Sequence, residues 1–104
     1  MIRHIVLVKF PPDASVEAIS AIFRRLADLR LHLPGMLNFQ GGANVSPERL
    51  ARGYTHAFTV DFVDRAARDA YLADPQHKAL GGRLVGMAEG GVDGLAVLDF
   101  QFAD

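Results

Sequence analysis

Tyr54-Thr55-His56-Ala57-Phe58-Thr59-Val60-Asp61-Phe62 alternates without a break. Tyr54, His56, Phe58, Val60 and Phe62 point one way, while Thr55, Ala57, Thr59 and Asp61 point the other. A period of two marks a β-strand with one covered face. That face carries a histidine among aromatic and branched side chains. Downstream, a helix capped by Asp64 is predicted to run to about Ala73, with Tyr71 near its end. His77 follows six residues later, past Asp74-Pro75. Two imidazoles and a phenol thus fall where an apolar core is expected.

The rest of the chain frames this strand. Ile2 to Phe10 is a nearly continuous apolar run ended by Pro11-Pro12, the pattern of a strand buried on both faces. Asp13 to Ser15 supplies helix N-cap candidates. Val16, Ile19, Ile22, Phe23, Leu26 and Leu29 then recur at helical spacing, with Glu17, Arg24, Arg25 and Asp28 opposite. Pro34-Gly35 stops this helix. Met36 to Asn44 reads as a second strand, with a bulge or bend predicted at Gly41-Gly42. Val45 to Gly53 is a polar loop in which Ser46-Pro47-Glu48 could form one helical turn. Asp74-Pro75 can start a short third helix. Six of the ten glycines lie between Gly81 and Gly94, which predicts a loosely constrained segment. Leu95 to Phe102 is the last strand.

Strand, helix, strand, strand, helix, strand predicts an α+β fold, the ferredoxin-like βαββαβ arrangement. Its four-stranded antiparallel sheet carries the helices on one face. Val6, Val8, Phe58, Val60, Leu95 and Val97 should face the helices. Ile5, Leu7, Ala57, Leu98 and Phe100, with Leu37 or Phe39, should lie on the other face, which no helix covers. An apolar face of that size is an association surface. Packing it against a second copy is the simplest way to cover it, so a homodimer is expected.

The 104 residues suit a single domain spanning 1–104. A net charge of −1 without a basic arm offers no footprint for nucleic acid. No apolar run is long enough for a membrane span. The chain has no cysteine, which removes disulfide and thiolate chemistry and fits a cytoplasmic protein. With no cysteine and no His-x-Glu-x-His spacing, a zinc centre is not expected, which leaves only weak divalent-cation binding by backbone oxygens open; no cofactor is expected either.

Among the titratable residues, His77 is the candidate general base, because imidazole exchanges protons near neutrality. Tyr71 is a neutral donor able to hold a carbonyl or enolate oxygen. Asp99, on the last strand, could orient an imidazole; antiparallel pairing with the first strand would bring it beside His4. Together these groups suit proton abstraction next to a carbonyl. The bland alternative has Tyr71 packing on the sheet and His77 capping the short helix. His4 and His56 share the helix side by parity but lie towards opposite ends of the sheet. His56 reads as a core histidine with a hydrogen-bond partner. His32 is expected to interact with the C-terminus of the first helix. Phe23 and Phe58 are core residues first and ligand contacts second.

Six segments, in order, resemble the stress-responsive A/B barrel (Dabb) domain over essentially the whole chain. They are Ile2-Arg3-His4-Ile5-Val6-Leu7-Val8-Lys9-Phe10, Pro34-Gly35, Gly42-Ala43-Asn44-Val45-Ser46, Gly53-Tyr54-Thr55-His56-Ala57, Tyr71 with Pro75-Gln76-His77, and Val97-Leu98-Asp99-Phe100. The resemblance implies a dimeric α+β barrel. The family includes heat- and salt-induced stress proteins and plant polyketide cyclases similar to olivetolic acid cyclase. In those cyclases a tyrosine and a histidine matching Tyr71 and His77 carry the chemistry. A histidine matching His4 lines the same cavity, and residues matching His56 and Asp99 lie nearby. Leu26 and Val92 stand where the cyclases have bulkier aromatics, so the substrate is not carried over. Three readings stay open. The first is a homodimer binding a small apolar or carbonyl-bearing molecule in a cavity between sheet and helices, gated by His4, Tyr71 and His77, with Phe23, His56, Phe58, Val97 and Asp99 as further binding residues. The second is a cyclase or lyase using His77 and Tyr71, and the third is a structural stress protein without a ligand.

Overall fold

The computed structural model describes residues 1–103. Strand β1 spans Ile2–Val8 and helix α1 Val16–Asp28, prolonged by a 3₁₀ turn at Leu29–Leu31. Strands β2 (Met36–Ala43) and β3 (His56–Phe62) follow, then helices α2 (Arg65–Ala73) and α3 (Pro75–Met87). A second 3₁₀ turn, Gly91–Gly94, leads into β4 (Leu95–Gln101). The four strands form one antiparallel sheet in the order β2-β3-β1-β4. This is the ferredoxin-like α+β arrangement, with α3 added.

The sheet's helix side is apolar by alternation. On β1, Ile2, His4, Val6 and Val8 are buried, while Arg3, Ile5 and Leu7 are only partly so. They pair with Phe62, Val60, Phe58 and His56 of β3, and with Gln101, Asp99, Val97 and Leu95 of β4. Ser15 caps α1 by accepting the Ala18 N–H at 2.9 Å. That helix lays Ile19, Ile22, Phe23 and Leu26 on the sheet. Each buried aliphatic or aromatic side chain contributes roughly 1.5–3 kcal/mol of transfer free energy. Val16 is 75% exposed, so the helical apolar pattern starts one turn before the buried face does.

Four local expectations are corrected. The irregularity in β2 lies between Met36 and Asn38, not at Gly41-Gly42. One extra residue there reverses the side-chain parity of the strand. Phe39 therefore faces the helices, stacked on Phe58 with ring centroids 5.1 Å apart. Gly41 is needed for a different reason: a Cβ there would lie 3.0 Å from the Phe23 ring and from Phe58 Cβ. Ser46-Pro47-Glu48 forms bends and no helical turn. The segment predicted to be loose is largely helix. α3 runs 13 residues through Gly81, Gly82 and Gly86, because Leu80 and Leu84 are buried and outweigh the glycines' poor propensity.

The other sheet face lacks a helix. Leu98 is 68% and Phe100 44% exposed, beside the half-buried Ile5 and Leu7. Arg3 grips Asp61 there through two hydrogen bonds of 2.8 and 3.0 Å, and Asn38 adds a third at 3.2 Å.

Candidate functional site

The register that pairs β1 with β4 sets His4 directly opposite Asp99. The His4 Nδ1 lies 2.7 Å from Asp99 Oδ1. The second carboxylate oxygen accepts from Arg68 of α2, also at 2.7 Å. Arg68 donates in addition to Asp69 at 2.9 Å. Burial alone would raise the Asp99 pKa, but the hydrogen bonds from Arg68 and His4 hold it below the usual carboxylate range. An ionised carboxylate at Nδ1 keeps a proton on that nitrogen and fixes the ring. Arg68 escaped the sequence reading. It lies one helical turn before Tyr71 and so shares its face, the spacing by which it could have been found.

Tyr71 is fully buried at the end of α2, edge-on to His4 with ring centroids 5.8 Å apart. Phe62 touches its ring at a centroid separation of 5.0 Å. His77 lies closer still, 3.9 Å between centroids. Asp74 makes this possible by ending α2 and capping α3 with one residue. Its Oδ2 accepts the His77 backbone N–H at 3.0 Å, and its Oδ1 lies 2.9 Å from Nε2 of His32. His32, expected at the C-terminus of the first helix, thus pairs across 42 residues with the cap of another. Two polar atoms of the ring pair, Tyr71 Oη and His77 Nδ1, are buried without a hydrogen-bond partner. Burial pushes the Tyr71 phenol well up, so it stays a neutral donor. Burial, helped by nearby His4, pushes the His77 imidazole down, so it stays neutral at physiological pH.

A separate open cleft lies between α1 and the β2–β3 half of the sheet. Its volume is about 590 Å³, and Phe10, Pro11, Ile19, Phe23, Gly41 and His56 are among its lining residues. Neither Tyr71 nor His77 reaches it. His56 sits four residues along the ladder from the His4 row, about 13 Å at strand rise. Its ring stands edge-on to Phe10 and Phe23, at 5.0 and 6.3 Å. Burial lowers its pKa. Nδ1 of His56 lies 2.8 Å from Thr55 Oγ1.

The sequence-predicted residues therefore divide. His4, Asp99, Tyr71 and His77 gather at one end of the sheet, and Phe23 and His56 at the other. Phe58 is buried edge-on against Phe23 as a core residue and does not line the cleft. Val97 is on the helix side by register but 58% exposed. Leu26 is buried in the core, whereas Val92 is exposed on the last 3₁₀ turn. Among the described residues, no cluster of histidine and carboxylate side chains has the makings of a metal site. No helix among them is long and apolar enough to cross a membrane.

The family model for the Stress responsive A/B Barrel Domain matches residues 2–102. The stress-response A/B barrel domain-containing protein HS1 of Arabidopsis thaliana is 30% identical over 100 residues, covering 96% of this chain and 88% of HS1. A dimeric ferredoxin-like protein of unknown function from Jannaschia sp. CCS1 superposes with a TM-score of 0.89 at 32% identity, covering 97% of this chain and 98% of that one. The crystal structure of At3g17210 from Arabidopsis thaliana superposes with a TM-score of 0.87 at 29% identity, covering 100% of this chain and 97% of that one.

Proposed function

The chain belongs to the stress-responsive A/B barrel domain family, and from that premise we propose a single-domain homodimer that holds a small apolar or carbonyl-bearing molecule between sheet and helices. The observation that carries the ligand is the cleft beside α1. Its volume of about 590 Å³ falls within the usual range for small-molecule sites, and its aromatic walls surround one imidazole, His56. The second copy covers the face of Ile5, Leu7, Leu98 and Phe100. Dimeric relatives support that assembly. The absence of cysteine fits work in a reducing cytoplasm.

A thermal-shift panel of phenols, keto acids and medium-chain ketones tests the ligand. Stabilisation by a subset with a common shape is expected. Silence across the panel, with the dimer intact, points instead to a structural protein without a ligand.

A second reading is favoured by the unpartnered Tyr71 Oη and His77 Nδ1. Buried polar atoms without partners cost stability and persist where a bound group meets them. A substrate oxygen reaching both rings would find a phenol donor and a neutral imidazole base, the requirements of an aldol-type cyclase or a lyase. Turnover by that route must vanish in His77→Ala while the fold survives; full activity in that variant removes the assignment.

A further inference from the structure

Thr55 Oγ1 is the centre of a hydrogen-bond set that fixes what the cleft can recognise. It accepts the Phe10 backbone N–H at 3.0 Å. Its own proton reaches the Val8 carbonyl at 3.2 Å. A hydroxyl has one proton and two lone pairs. With the proton directed to Val8 and one lone pair facing Phe10, the remaining lone pair faces His56 Nδ1 at 2.8 Å. All three contacts are satisfied together only when His56 Nδ1 carries the proton. The opposite tautomer would turn the hydroxyl proton to the ring and give up the hydroxyl's bond to Val8, leaving that carbonyl the Thr55 backbone N–H alone, at 2.9 Å. A neutral imidazole with Nδ1–H has a bare Nε2, which is an acceptor and cannot donate.

We propose that Thr55 locks His56 as a hydrogen-bond acceptor in the cleft, so that the cleft selects apolar molecules bearing a hydroxyl over equally apolar ones lacking it. The inference rests on the cleft being the ligand site, and it narrows that site's chemistry to phenols and alcohols. A carbonyl oxygen without an adjacent O–H finds no donor on this ring. Phe10 and Phe23, edge-on to the imidazole and themselves 6.3 Å apart, supply apolar contact beside it. Burial keeps the ring neutral in support of the same role.

Long-range ¹⁵N–¹H correlation on the ligand-free protein at pH 7.5 reads the tautomer directly. The lock predicts a protonated Nδ1 and a bare Nε2. Calorimetry or NMR titration with 4-butylphenol and its methyl ether, 4-butylanisole, then reads the selection. The phenol should bind about tenfold more tightly, the cost of covering the half-buried His56 acceptor with a ligand that offers it no donor. Thr55→Val, which frees the ring to change tautomer, should bring that ratio towards one. A protonated Nε2 in the unmodified protein overturns the proposal, as does equal affinity for the two probes. Binding of neither probe, with Nδ1 protonated, overturns the cleft as a ligand site and this inference with it. If Thr55→Val does not fold, the tautomer and the probe ratio in the unmodified protein decide.

Discussion

His4 and Asp99 are direct partners across the β1–β4 ladder, with Nδ1 2.7 Å from Oδ1. Arg68 holds the other carboxylate oxygen, so one ion pair ties α2, β4 and β1 together. Asp61 is placed similarly on the opposite sheet face: Arg3's hydrogen bonds, with help from Asn38, lower its pKa against the opposing effect of burial. For Asp99, burial acts upward, and the hydrogen bonds from Arg68 and His4 prevail. Both carboxylates thus titrate lower in the fold than in the unfolded chain. Their contribution is fully present above the unfolded value near 4 and is lost as pH falls through the lower folded values. Urea unfolding between pH 2.5 and 6 should show a steep acid limb, and Asp61→Asn and Asp99→Asn should each flatten it. An unchanged limb in both variants would contradict the assignment.

The Tyr71 hydroxyl is buried without a partner. Removing it relieves a desolvation cost and leaves the ring packing against Phe62 and His4 in place. Tyr71→Phe should therefore be neutral to stabilising, by up to about 1 kcal/mol in denaturant unfolding. If the second reading holds, the same variant loses turnover. A loss of about 2 kcal/mol or more would instead show that the hydroxyl is satisfied in solution.

Gly41 lets the Phe23 ring lie against β2. A Cβ there meets both Phe23 and Phe58 at 3.0 Å. Gly41→Ala should destabilise the fold by about 1–3 kcal/mol through overpacking, and should narrow the cleft. Thermal unfolding reads the first effect and phenol titration the second. Unaltered stability and affinity together would mean that Phe23 swings aside freely.

Leu98 and Phe100 lie on the face assigned to the second copy. Leu98→Arg places a charge on that exposed face while leaving the helix-side core untouched. Light scattering should report a dimer for the parent chain and a monomer for the variant, with near-identical far-UV circular dichroism. A monomeric parent at micromolar concentration removes the homodimer.

Much of the fold was legible because alternation and helical spacing report burial locally. The β3 pattern and the Ser15, Asp64 and Asp74 caps lie where the residues put them. The His4–Asp99 contact followed from antiparallel register. What escaped depends on distant parts of the chain. The β2 bulge, which turns Phe39 inward, leaves no signal in eight residues of mixed character. The full length of α3 is set by burial of Leu80 and Leu84, which glycine content conceals. The separation of the cleft from the Tyr71–His77 pair follows the ladder, where the buried Val6–Phe58 row lies between the His4 and His56 rows. His32 and Asp74 meet only because two helix ends converge.

The central claim is that the cleft beside α1 is the ligand site, and two-dimensional NMR during titration with 4-butylphenol tests it most directly. Saturable shift changes should concentrate on Ala14, Ile19, Phe23 and His56, residues that line the cleft. No saturable change, or changes gathered on Tyr71 and His77 instead, would contradict it.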